Sequence, residues 1–256
     1  MSDISLLHKR KFVVNDKITV HIPTIGEIKG TSVIDSGTDV DEAGYYSLIS
    51  LFSSTSTDIM LELDSQGIDF TKWSDFQTFL MLFNNTPKDL LYQKSPLLFD
   101  NINLGDFELS VNMENELPIL YDSKHDVIID ELIYMRLSTI FCTINCTKKR
   151  HRKMGNDTAK EYAIEREKAH REHRKRKKQT MYSSQLDKQI IALVNNANFK
   201  YNFDEVNDLT IYDFLVSLKQ VVKKYQIDNL NTGIYMGTVK VTENDRNTKL
   251  NWLDYE

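Results

Sequence analysis

Along the first half of the chain apolar positions come in short runs; along the second they recur at helical spacing. KFVVNDKITVHIP, residues 11–23, sets two β-branched runs either side of Asn15-Asp16, which predicts a hairpin over Phe12–Ile22 that Pro23 ends. Thr24 and Glu27 then have the spacing of a capping box and start a short helix. SVIDSGTDVDEAG, residues 32–44, is polar and reads as a loop. Tyr45, Leu48, Ile49 and Phe52 keep helical spacing, and Ile59, Met60 and Leu63 follow in a shorter apolar group. Ser74 and Gln77 cap a further helix carrying Phe76, Phe79, Leu80 and Phe83. DFELSVN at 106–112 alternates through Phe107, Leu109 and Val111, and LPILY at 117–121 is placed to pair with it.

In the second half, Val127–Cys146 is apolar nearly all round and predicts a buried helix. Leu186, Ile190, Leu193 and Val194 form another helical stripe, followed by a strand-like FKYNF at 199–203. Thr210 is an N-cap with Asp213 at the third position, and Leu209 and Phe214 are spaced for a hydrophobic staple. Ile211, Phe214, Leu215, Leu218, Val221, Val222 and Tyr225 line one face of the helix that follows. Within the C-terminal segment Gly233 and Gly237 mark turns, and Tyr235 and Trp252 are expected to anchor the tail. No proline follows Pro118, which leaves room for long helices. The expectation is an α+β fold, predominantly α-helical: an N-terminal α+β region over 1–125 with a small β-hairpin, and a helical region over 126–256 from which a long basic helix projects.

Charge changes this picture most. Residues 148–178 hold 14 Lys/Arg against 5 Asp/Glu, an excess of nine in a chain whose net charge is −5, so the remainder carries −14. The two parts should attract one another, or each should meet a partner of opposite sign. A helix from Asp157, opened by Thr158 and Glu161 as a capping box, would run about 33 Å to Lys178. Glu167–Arg171 and Glu172–Arg176 would each support it by about 0.2–0.5 kcal/mol. Its apolar residues are only Tyr162, Ala163, Ile164 and Ala169, so it must project into solvent or lie against something acidic. A solvated charged helix, a handle for an acidic protein surface and a nucleic-acid contact are the three readings. Protein docking is favoured over nucleic acid, because one aromatic residue offers no stacking platform and no recognition-helix signature is present. The candidate contacts in the basic arm are Lys148, Lys149, Arg150, Arg152, Lys153, Arg171, Arg174, Lys175, Arg176, Lys177 and Lys178; those on the apolar helix are Phe214, Leu218, Val222 and Tyr225.

Candidate chemistry adds little. Cys142 and Cys146, with His151 close behind and His170 and His173 further on, make a weak zinc pattern, and free cysteines on an apolar helix are ordinary core residues. Asp58, Glu62, Asp64 and Asp69 cluster in TDIMLELDSQGIDF, where acids interleaved with Met60, Leu61 and Leu63 suit an exposed helix face better than an acid/base pair. Phosphate-binding, nucleophile-elbow, dinucleotide and zinc-protease motifs are absent from the sequence. We expect no enzyme activity, cofactor or metal. Val127–Ile144 contains Asp130, Glu131 and Arg136 and does not read as a membrane span. Residues 1–10 lack the apolar core of a secretory signal, and two cysteines make no disulfide framework, so a reducing cytoplasm is expected.

ITVHIPTIGEI at 18–28 and the stretch from Tyr45 to Phe83 resemble proteins from tail-gene modules of phages that infect Gram-positive bacteria. The basic arm at 148–179, LTIYDFLVSLKQVVKKYQIDNL at 209–230, and GIYMGTVKV at 233–241 with LNW at 250–252 resemble them too. The resemblance implies a non-enzymatic role in virion morphogenesis in the bacterial host's cytoplasm, with other tail proteins as partners and a tape measure foremost. It leaves open a chaperone, a structural part of the neck, tail tip or baseplate, and a homo-oligomer.

Overall fold

The computed structural model describes residues 6–30, 42–113, 115–150, 153–176 and 184–240, with 242 and 250. The hairpin forms from β1 (Lys11–Val13) and β2 (Thr19–His21). Thr24 and Glu27 close their capping box on α1 (Ile25–Lys29). Three helices follow, α2 (Glu42–Ser53), α3 (Met60–Ser65) and α4 (Asp75–Asn85), the last capped by Ser74 and Gln77 as their spacing predicts. Most of the loop expected at 32–44 lies outside the described residues, and its last three open α2. α5 (Lys88–Lys94) leads through two single 3-10 turns to an antiparallel sheet of β3 (Glu108–Val111), β4 (Pro118–Asp122) and β5 (Val127–Ile129), in that order. α6 (Glu131–Ile144), α7 (Asp157–Arg176), α8 (Gln185–Val194), α9 (Phe203–Val206) and α10 (Ile211–Tyr235) complete a predominantly helical α+β fold.

Aromatic rings make the centre. Phe52 of α2 sits 5.1 Å from Phe79 of α4 and 4.7 Å from Phe141 of α6, and Phe79 lies 4.8 Å from Tyr134. Offset and edge-on rings at such spacings contribute beyond the area they bury. Two buried polar contacts fix α2 against α6: Ser138 Oγ donates to the Phe52 carbonyl at 2.7 Å, and Tyr45 OH donates to Asn145 Oδ1 at 3.0 Å. One hydrophobic cluster runs from Leu6 to Phe214, so residues 1–125 and 126–256 are built round a common core. The ends of that cluster are tied by the Ile211 amide donating to Pro23 O at 2.8 Å and the Ile25 amide to Leu209 O at 2.9 Å.

Several expectations need correction. Val127–Ile129 is a strand paired with β4, and the helix begins only after Asp130, whose side chain accepts from the Ile133 amide. That helix is not buried all round, since Leu132 and Met135 are 61% and 59% exposed. FKYNF is no strand: Asn202 accepts from the Asp204 and Glu205 amides and, with Glu205, boxes the start of α9. Phe107 is buried, but Leu109 and Val111 overhang the core's edge, 56% and 57% exposed. α7 starts at Asp157 as expected, yet its cap is Asn156 Oδ1 accepting from the Ala159 amide, not Thr158. Tyr235 is 91% exposed and anchors nothing, while Gly237 takes the left-handed turn after α10 at φ 70°. Trp252 lies outside the described residues.

Candidate docking surface

The basic arm is partly consumed within the molecule. Ile164, 7% exposed, joins Met60, Leu63 and Phe70 in a small hydrophobic cluster separate from the main core, with Ala163 and Met154 against it. This lays α7 on α3, and the acids around α3 meet its cations. Arg171 Nη1 and Nη2 donate to Glu62 Oε1 and Oε2 at 2.8 and 3.1 Å, and Lys160 Nζ donates to Asp69 Oδ1 at 2.8 Å. Lys168 lies 3.9 Å from Asp64. The Arg171 hydrogen bonds hold the Glu62 carboxyl below its usual range, and the Lys160 and Thr71 hydrogen bonds hold Asp69 at about 2. The acidic cluster that reads as a solvent face is therefore the receiver of the arm. Asp58 serves a turn, accepting from the Thr55 amide and hydroxyl at 2.7 and 2.8 Å.

The candidate cations divide accordingly. Lys149 is an internal residue: its ammonium donates to Tyr134 OH at 2.7 Å and to Asp75 Oδ2 at 3.2 Å, and it lies 4.7 Å from the centroid of the Tyr134 ring. Arg171 is spent on Glu62. Lys148, Arg150, Lys153 and Lys175 are exposed and carry no ion pair among the described residues. Arg174 and Arg176 lie on α7, whereas Arg152, Lys177 and Lys178 fall outside the described residues. On α10, Phe214 is fully buried, because the position one turn after the Thr210 cap faces the core. Leu218 packs half-buried on that core, and Val222 and Tyr225 are 47% and 48% exposed. Only the last three reach the surface there.

An apolar surface that sequence reasoning missed lies elsewhere. Between β1 and α6 runs a groove of about 430 Å³ lined by Phe12, Val13, Leu132, Met135, Arg136 and Ile140, among others. Val13 is 68% exposed, and Arg136 has no ion pair among the described residues. Met135 and Thr139 also line a cavity of about 860 Å³, rimmed by Lys149, Lys153 and Met154 of the segment between α6 and α7. The two depressions thus adjoin along α6. The polar breaks at Arg136, Thr139 and Thr143 were the signal that one stripe of this helix faces outward.

Residues 175–254 match the family described as YomV second domain. The match supports a phage-derived affiliation for this part of the chain. It covers less than half of the 256 residues and takes in α8, α9 and α10. No curated protein and no solved structure matches the chain.

No helix among the described residues is long and apolar enough to cross a membrane. Burial pushes the Cys142 and Cys146 thiols up, and Cys146 lies past the end of α6 at φ 49°, off the helical face assumed for a zinc pair; His151 is outside the described residues. Asp106, Asp122 and His125 do converge, their ligating atoms within 4.8 Å of one another. They already have partners in the fold, however. Asp106 accepts from Lys124 and from Tyr92 OH, and Asp122 accepts from the Lys124 amide and faces His125 Nδ1 at 2.6 Å. The Lys124 ammonium already supplies the positive charge a cation would bring.

Proposed function

We propose that this is a non-enzymatic bacteriophage tail-assembly protein, acting in the bacterial host's cytoplasm, that docks on other tail proteins and covers them until they assemble. The tape measure is the foremost partner, because a long helical chain exposes apolar surface that aggregates unless covered. The observation that carries this reading is the division of the arm. One face of α7 is fixed to α3, and Lys148, Arg150, Lys153 and Lys175 remain exposed without an ion pair among the described residues. Lys153 lines the cavity along α6 beside Met135 and Met154, so charge and apolar surface adjoin there, as reversible protein docking requires. The match to a phage-derived family supports the viral setting. Co-expression with the tape measure of the same phage tests it: the tape measure should move from the soluble to the pelleted fraction when this protein is omitted, and unchanged solubility would remove the chaperone.

A structural place in the virion is the second reading, favoured by the β3–β4 hairpin, where Leu109, Val111, Met113 and Leu117 are all more than half exposed. Mass spectrometry of purified particles separates the two readings. Stoichiometric presence supports a structural part; absence supports a chaperone.

A further inference from the structure

Both small sheets end in an edge strand whose outward main chain is open among the described residues, and the two edges differ in sign. In the hairpin, Ile22 N–H donates to Arg10 O at 2.8 Å and Val14 N–H to Ile18 O at 2.9 Å. With the register Lys11↔His21, Phe12↔Val20, Val13↔Thr19, the even-numbered residues of β1 are the ones bonded to β2. Bonded and non-bonded pairs alternate in an antiparallel ladder, so the N–H and C=O groups of Lys11 and Val13 point away from β2. The outer side of β2 is already occupied: His21 N–H donates to Leu98 O at 2.9 Å, and Asp100 N–H donates to Thr19 O at 3.2 Å. The outer side of β1 has no such partner among the described residues. A groove touched by Phe12, Val13 and Val14 in succession runs along a strand edge, because their side chains alternate between faces.

The same reasoning applies to β3. Asn112 N–H donates to Leu117 O at 2.9 Å, and the register pairs Ser110 with Ile119 and Val111 with Pro118, which has no N–H to give. The outward groups on β3 therefore belong to Leu109 and Val111, whose side chains overhang the core. Each edge presents two outward residues, two positions apart. Around β1 and its groove stand Lys9 and Arg136, both without an ion pair among the described residues; around β3 stand the exposed Glu108, paired only with Lys88 at 3.5 Å, and Glu116. Two copies meeting β1 to β1 would oppose like charges, whereas β1 to β3 opposes unlike ones.

We propose that the β1 edge of one copy takes the β3 edge of a second copy as its next strand, antiparallel, with Lys11 opposite Val111 and Val13 opposite Leu109. Leu109 then enters the groove between β1 and α6 and covers Leu132 and Met135. The contact is heterologous: each copy keeps one unused β1 edge and one unused β3 edge, so association continues head to tail. Edge strands are ordinarily blunted against this, and here the unlike charge beside the two edges favours pairing of one with the other.

Sedimentation of the full chain with two edge variants, Val13→Lys and Leu109→Lys, tests this. Neither substitution removes an internal hydrogen bond, and far-ultraviolet circular dichroism and melting temperature establish that each variant is folded. Wild-type protein should show a weight-average mass that climbs above 29.8 kDa with concentration and falls back as salt is added. Each variant alone should stay at the mass of one chain. An equimolar mixture of the two should reach about twice that mass and stop, since it holds one intact edge of each kind per pair. A wild type that stays monomeric up to its solubility limit overturns the proposal and leaves the groove to a different protein. A dimer that survives Leu109→Lys overturns it in favour of a symmetric contact.

Discussion

Arg171 and Glu62, 109 positions apart in the chain, meet in a two-pronged ion pair, Nη1 donating to Oε1 and Nη2 to Oε2. The side chains are 39% and 42% exposed, so the pair orients α7 more than it holds it. Beneath it, Ile164 carries the docking. Arg171→Ala should cost roughly 0.2–1 kcal/mol, and Ile164→Ala about 2 kcal/mol, the low end for a buried isoleucine beside a small cluster. Hydrogen exchange checks this: Ile164→Ala should speed exchange across α7 well before the main core opens, and Arg171→Ala should do so far less.

The same contact is sensitive to acid. Glu62 and Asp69 are held below their ordinary values by Arg171 and by Lys160. A carboxylate whose folded value is depressed favours the folded state above its unfolded value and loses that advantage as pH falls toward the folded one. For Asp69 that window runs from 3.8 down to about 2. Trp73 packs against the α3–α7 cluster, so in a Trp252→Phe background its emission should shift red across this window while far-ultraviolet signal from the main core persists. A shift centred near neutral pH would contradict the assignment.

Tyr45 and Asn145 join α2 to the end of α6 inside the core, at 3.0 Å. Tyr45→Phe leaves Asn145 Oδ1 without its donor and should destabilise the protein by about 1–2 kcal/mol. Chemical denaturation should register this as a lower midpoint with an unchanged slope.

Cys142 and Cys146 both have thiols pushed up by burial. In the native protein they should react slowly with iodoacetamide at pH 8, and quickly once the chain is unfolded, because the thiolate is the reactive form. Rapid native labelling of Cys142 would mean that α6 opens far more readily than its packing implies.

What could be read in the sequence was mostly local. Thr24, Ser74 and Thr210 announce helix starts because a cap and its third residue interact across a single turn. Asn202 with Glu205 carried the same signal and was outweighed by the aromatic run around it. Val127–Ile129 was ambiguous on apolar pattern alone, and only Asp130 marked the change from strand to helix. The docking of α7 had no local signature, because Ile164 meets Leu63, and Lys160 meets Asp69, across about a hundred residues. The excess of positive charge at 148–178 and the deficit elsewhere did announce attraction, but not its address. The groove beside β1 was hidden for a related reason: Leu132 and Met135 look like core residues until the position of the hairpin is known.

The central claim is that one face of the arm is used inside the molecule and the remaining cations dock on another protein. The most direct measurement is particle yield from a phage whose own copy carries Lys148→Glu, Arg150→Glu, Lys153→Glu and Lys175→Glu, in a variant that melts like wild type. Yield should fall at least about tenfold, the effect of losing ~1.4 kcal/mol of docking free energy. Wild-type yield from that folded variant would contradict the claim.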